Sequence, residues 1–237
     1  MTASPFDSPV WRAVLFDADL SPLFTDTAVL RAELLVLGAL ALTQAKAGEV
    51  PDVSAQAIQR AALEVQIDPA AMAARTAQTG DPTEALIAQF RAEMQAPEHA
   101  KWVHHASDTR LTAATGQSLR LRQCCRILAA RAGLDSPPVA VAFHADAGTR
   151  AGLAAGLGLV DGGPEDPVAH ARSVGRWLAD QAHDRSAGNP ISAALVHQIG
   201  HLDAALQSAP EACADLTILM TLPQMVLGLG GLLNRSV

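Results

Sequence analysis

Between residues 28 and 47, Leu30, Leu34, Leu35, Leu37 and Leu40 crowd nearly every side of a 3.6-residue period. Arg31, Glu33, Gln44 and Lys46 stand near the ends. The pattern predicts a long helix buried on several sides, opened by the capping oxygens of Thr25-Asp26-Thr27 and stopped at Gly48. Two shorter helices are predicted over 54–66 and from Asp68-Pro69 to about 78, the second with an Asp cap and Pro at its first position. Gly80-Asp81-Pro82 restarts the pattern, and Leu86, Ile87, Phe90 and Met94 mark a helix over 83–95. A loop over 96–105 leads to a long helix over 109–132. There Leu111, Leu119, Leu121, Ile127 and Leu128 oppose Arg120, Arg122, Gln123 and Arg126, and Gly133 closes the helix.

Asp135-Ser136-Pro137-Pro138 is the strongest breaker in the chain. Beyond it, 139–143 reads as a short strand, followed by a small-residue stretch over 145–158. Helices return over 167–182 and 190–207, and a last one after Pro210 is expected to be kinked or split at Pro223. The whole reads as an all-α protein.

Composition narrows the picture. The chain has 237 residues, 49% of them hydrophobic, so it can bury a sizeable core and is not disordered. A net charge of −7 leaves no broad basic surface for a phosphate backbone, which argues against nucleic acid. Aromatic residues are 3%, with no Tyr, and the alanine and leucine bias favours helices packed through small side chains. The opening residues lack the basic-then-apolar order of a signal peptide, and the apolar runs at 34–42 and 220–233 are too short or too interrupted to cross a bilayer. A soluble cytoplasmic protein is expected.

Three local patterns carry possible chemistry. His197 and His201 share a helical face at the spacing of a two-histidine metal pair, but Gln198, Ile199 and Gly200 lie between them and no third ligand is evident beyond Asp203. The ordinary reading is a pair of surface histidines, and no metal or other cofactor is expected. Gly156-Leu157-Gly158 lacks the strand-before, helix-after setting of a phosphate loop and reads as a turn-rich connection. Cys124 and Cys125 lie in a helix beside Arg122 and Arg126 and read as inert thiols; with Cys213 they form neither a disulfide framework nor a zinc set.

The informative segment runs from Ala96 through Pro97-Glu98-His99-Ala100, Val103-His104 and Asp108-Thr109-Arg110-Leu111 to Leu119-Arg120-Leu121-Arg122. It resembles the fumarase/aspartase superfamily, and within it the bacterial 3-carboxy-cis,cis-muconate cycloisomerases. There a Pro-Glu-His-Ala-x-x-Val-His phrase runs into Thr-Ser-Gln-Asp and then a Leu-Arg-Leu-Arg helix, aligned without a gap from Ala96 to Arg122. Residues 6–9, 23–26, 34–41, 64–69, 141–149 and 222–226 are similar to further family phrases. The resemblance implies an all-α, fumarase/aspartase-like helical bundle, here with internal deletions, divided into an N-terminal helical region (1–107) and a shortened central bundle (108–237). It implies cofactor-free lactone closure of a conjugated tricarboxylate, in the protocatechuate branch of aromatic degradation, by a homotetramer with shared active sites.

The departures from the family's pattern fall where substrate would sit. The positions of Thr-Ser-Gln-Asp hold Asp108, Thr109, Arg110 and Leu111, so a negative charge stands where a hydroxyl donor would meet an anion. Of the mobile loop Gly-Ser-Ser-x-Met-Pro-x-Lys-x-Asn-Pro, whose serine is taken as the family's base, only Asn189-Pro190 is recognisable, and Ser186 is a poor substitute. The family's Arg-Thr-x-x-Gln stretch is replaced by Asp135-Ser136-Pro137-Pro138, its first-helix glutamate by Leu37, and its Gly-Gly by His144-Ala145. The remaining candidates are His104, Thr109 and Ser186 for catalysis, and Asp108, Arg110 and Asn189 for substrate. Two functions are consistent with this. One is an active cycloisomerase. The other, favoured by the number of losses from a site that acts as a unit, is a catalytically impaired or non-catalytic relative. A homo-oligomer is expected, and association with a full-length paralogue is a second possibility.

Overall fold

The computed structural model describes residues 8, 10–11, 17–142, 146–162, 167–183, 185, 190–210 and 214–234. Ten α-helices carry these residues, and no β-strand forms among them. The chain divides into two compact units, neither of which is a single stretch of sequence.

The first unit spans 25–121 and 138–167. Its centre is α1 (Asp26–Lys46), whose N-terminus is capped by the Thr25 hydroxyl accepting the Ala28 N–H. Around it pack α2 (Asp52–Glu64), α3 (Pro69–Thr79) and α7 (Ala147–Leu157), with α4 (Pro82–Glu93) on α3 and the one-turn α5 (Pro97–Ala100) on α2 and α4. The nearly all-round apolar pattern of α1 is explained by two separate cores. Leu30, Leu34 and Leu37 join Ile58, Leu86 and Phe90 in one. Val36 and Leu40 join Leu111, Val141 and Leu153 in the other. Phe90 is fully buried, worth about 1.5–3 kcal/mol by transfer from water alone.

The second unit spans 1–24, 122–137 and 168–237. It contains α8 (Pro167–His183), α9 (Pro190–Ser208) and α10 (Ala214–Leu233), with α9 packed along α10. Arg172 of α8 donates to the Leu206 and Ala209 carbonyls, satisfying the C-terminal end of α9. The long helix α6 (Thr109–Ala132) contributes its first half to one unit and its second half to the other.

Three sequence expectations change. Residues 139–142 form no strand: Ala140 makes an isolated parallel bridge with Val160, and Thr115 of α6 takes up both the N–H and the carbonyl of Ala142. Phe143 lies outside the described residues. The small-residue stretch, of which Gly156-Leu157-Gly158 read as a turn-rich connection, forms α7, because Asp146 caps its first turn and Gly158, at φ +65°, closes it in the left-handed conformation that favours glycine. Pro223 does not split the last helix; α10 runs through it, held by the buried Leu222, Met225 and Val226. By length and apolar composition α1 and α10 could each cross a bilayer, and 67% of each apolar window is buried within the protein.

Candidate functional site

The segment that carries the family resemblance folds as a tight loop from α5 into α6. His104 (φ +58°) and Ala106 (φ +46°) adopt the left-handed conformation, unfavourable by about 1–2 kcal/mol for a residue with a Cβ. Side chains from other helices hold it there. Arg91 donates to the Val103 carbonyl at 2.7 Å and Gln44 to the His105 carbonyl at 2.7 Å. The His105 ring meets Trp102 edge-on, and His99 Nδ1 lies 3.1 Å from the Ser54 hydroxyl.

The donors and acceptors of this motif are turned on one another. Asp108 is exposed and caps α6: its Oδ1 accepts the Arg110 N–H at 2.8 Å, and its carbonyl accepts the Thr112 N–H. Thr109 donates its hydroxyl to Asp81 Oδ2 at 2.7 Å. Asp81 in turn caps α4, its Oδ1 accepting the Thr83 and Glu84 N–H groups. His104 Nε2 lies 3.1 Å from the Thr112 hydroxyl. Burial, aided by the Arg91 cation, lowers the pKa of His104 despite Asp108 and Asp81, so the ring stays neutral at pH values where a free histidine begins to charge.

One further group was not legible as a site residue. Glu33, expected near an end of α1 among its polar residues, is buried and accepts a hydrogen bond from the Thr83 hydroxyl at 2.8 Å. Gly116 of α6 packs on it so closely that a Cβ there would lie 2.9 Å from Glu33 Cγ. Burial pushes the Glu33 pKa up to about 7, opposed by Thr83 and the Arg120 guanidinium and assisted by Asp81. The hydroxyl face of α6 (Thr112, Thr115, Ser118) is buried as well, although the apolar stripe alone marked that helix in the sequence. The only sequence signal for Glu33 was a carboxylate flanked by Ala32 and Leu34-Leu35.

The other expected site residues are not brought into this cluster. Arg110 lies on the first turn of α6, half-buried. Ser186, Asn189, His144 and Ala145 lie outside the described residues. His197 and His201 project from α9 in the other unit. Cys124 and Cys125 are both buried, and burial pushes the Cys125 thiol up to about 12, in keeping with inert thiols. Among the described residues no group of three or more His, Cys, Asp or Glu is placed to hold a metal ion. Two clefts, of about 680 Å³ beside Arg31 and Ile67 and about 480 Å³ beside Arg172 and Trp177, are lined by none of His104, Asp108, Thr109 and Arg110, although the larger one meets the family-like phrase over 64–69.

Because Asp81 serves α4 and α6 together, Asp81→Ala is expected to destabilise the protein by about 1–3 kcal/mol, from a lost cap and a lost hydroxyl bond. The urea midpoint would read the loss. A change within about 0.5 kcal/mol, the range of an ordinary surface substitution, would show the cap to be dispensable.

This architecture is the all-helical fold of the fumarase/aspartase type, as comparison with solved structures shows. The β-carboxy-cis,cis-muconate cycloisomerase of Acinetobacter calcoaceticus sp. ADP1 superposes with a TM-score of 0.77 at 16% identity, covering 96% of this chain and 76% of that one. The 3-carboxy-cis,cis-muconate lactonizing enzyme of Pseudomonas putida gives 0.72 at 18% identity, over 97% and 75%. A fumarate lyase from Mesorhizobium sp. BNC1 gives 0.66 at 14%, over 93% and 74%. No protein-family model and no curated protein sequence matches the chain.

Proposed function

We propose that this chain is a shortened relative of the carboxymuconate cycloisomerases that keeps their helical scaffold without their turnover. The observation that carries the reading is the internal engagement of the motif. Thr109 gives its hydroxyl to Asp81, His104 faces Thr112, and Asp108 is used as a helix cap. Lactone closure on a tricarboxylate needs donors aimed at substrate carboxylates and at an enolate-like intermediate, with an acid/base group in reach of the moving proton. Here an exposed carboxylate, that of Asp108, stands where the family has a hydroxyl donor, and it repels an anion. The similarity to two cycloisomerase structures along nearly the whole chain supports the ancestry.

The test is consumption of 3-carboxy-cis,cis-muconate, followed by its ultraviolet absorbance at high protein concentration. The expected trace is indistinguishable from the protein-free reaction. Saturable turnover that scales with protein concentration would contradict the proposal.

A further inference from the structure

The best-placed chemistry that this reading leaves unused is on α9. His197 and His201 stand on its exposed side, opposite the buried Ser192, Leu195, Ile199 and Leu206. Their Nε2 atoms approach to 2.9 Å, with ring centroids 4.3 Å apart and planes at 83°. Among the described residues neither ring has another polar partner. Gly200, between them, leaves open space where a side chain would stand.

Two neutral imidazoles facing each other through nitrogen satisfy one lone pair at most, by an N–H of one ring pointing at the other. A metal ion satisfies both. Imidazole binds first-row divalent metals at about 2.0–2.1 Å, so two such nitrogens on adjacent corners of a square lie about 2.9 Å apart, and on a tetrahedron about 3.3 Å. The observed spacing is that of adjacent equatorial positions, the geometry preferred by Cu(II) and Ni(II), with copper bound the more tightly. Because both ligands come from consecutive turns of one helix, little conformational freedom is lost on chelation.

We propose that His197 and His201 form a surface chelate for a divalent copper- or nickel-type ion, with water in the remaining coordination positions. The ring that donates its Nε2–H to the other shifts that proton to Nδ1, so both neutral imidazoles present an Nε2 lone pair to the ion and no proton is released. The inference is independent of the cycloisomerase ancestry, since neither His197 nor His201 belongs to a phrase that carries the resemblance.

The test is titration of tag-free full-length protein with Cu(II) alone, with Ni(II) and Zn(II) in parallel, read by calorimetry and by electron paramagnetic resonance. One copper per chain with two equatorial nitrogens is expected, bound more tightly than zinc. His197→Gln and His201→Gln should each weaken binding by roughly tenfold or more, because the second ligand of a chelate acts at a high effective concentration. His183→Gln, on the exposed end of α8, should leave the affinity unchanged. Circular dichroism of each variant checks that the helices persist. Copper affinity unaltered in both α9 variants, or a spectrum showing fewer than two nitrogens, would overturn the proposal.

Discussion

Asp17→Ala is expected to lower stability by about 2–4 kcal/mol, the cost of leaving several buried N–H donors without their acceptor. Asp17 is 1% exposed and ties together three distant parts of one unit. It accepts the N–H groups of Asp19 and Leu20 at 3.0 Å, both Nη atoms of Arg131 from the end of α6, and Asn234 Nδ2 at 3.2 Å from beyond α10. Burial opposes ionisation, but Arg131 and the N–H donors outweigh it and hold the carboxyl below its ordinary range. With alanine there, Arg131 keeps the exposed Asp19 as its ion-pair partner, and the N–H groups that Asp17 served lose their acceptor. The sign of the pH dependence follows from the lowered pKa. The contribution is complete above the unfolded value near 3.8 and is lost as pH falls through the folded value. Denaturant unfolding of wild type and variant at pH 7 and at pH 3 should therefore show a smaller difference in acid. An equal difference at both would mean that lost packing, rather than the ion pair, is responsible.

Glu33→Gln should act in the opposite direction. A carboxyl raised from 4.5 to about 7 binds more protons in the folded chain than in the unfolded one between those two values. Stability from this group is therefore complete below pH 4.5 and falls as pH rises toward 7. The loss is of order 3 kcal/mol at pH 8, at about 1.4 kcal/mol per pKa unit. Glutamine keeps an oxygen to accept the Thr83 hydroxyl and carries no charge to desolvate, so the variant should be more stable than wild type at pH 8 by a similar amount and nearly equal to it at pH 4. Thermal unfolding across that range reads both. A variant less stable at pH 8 would mean that the ionised carboxylate and Arg120 are together worth more than the desolvation.

The helices were legible in the sequence because apolar spacing and caps act locally. The bounds of α6 and the Asp caps before α3 and α4 follow from residues within one turn. What the sequence could not disclose is set by distant partners. Thr83 and Glu33 are fifty residues apart, and Asp17 and Asn234 join the two ends of the described chain. Asp108 shows the limit most clearly. As a departure from the family's pattern it read as a charge of the wrong sign, and the same carboxylate serves the fold as the cap of α6. The α7 stretch misled for another reason: glycines at 152, 156 and 158 suggest turns, whereas Asp146 and close packing on α1 favour helix.

The central claim is that the inherited scaffold no longer grips a tricarboxylate, because its motif donors are engaged within the fold. Equilibrium binding of 3-carboxy-cis,cis-muconate, read as a shift in thermal midpoint, tests this without relying on turnover. A ligand at a hundred times its Kd would add about 2.7 kcal/mol to the folded state, which is about 5–11 °C for a chain of this size. The account predicts no shift up to millimolar ligand. A saturable rise in midpoint that His104→Ala or Thr109→Ala abolishes would contradict it.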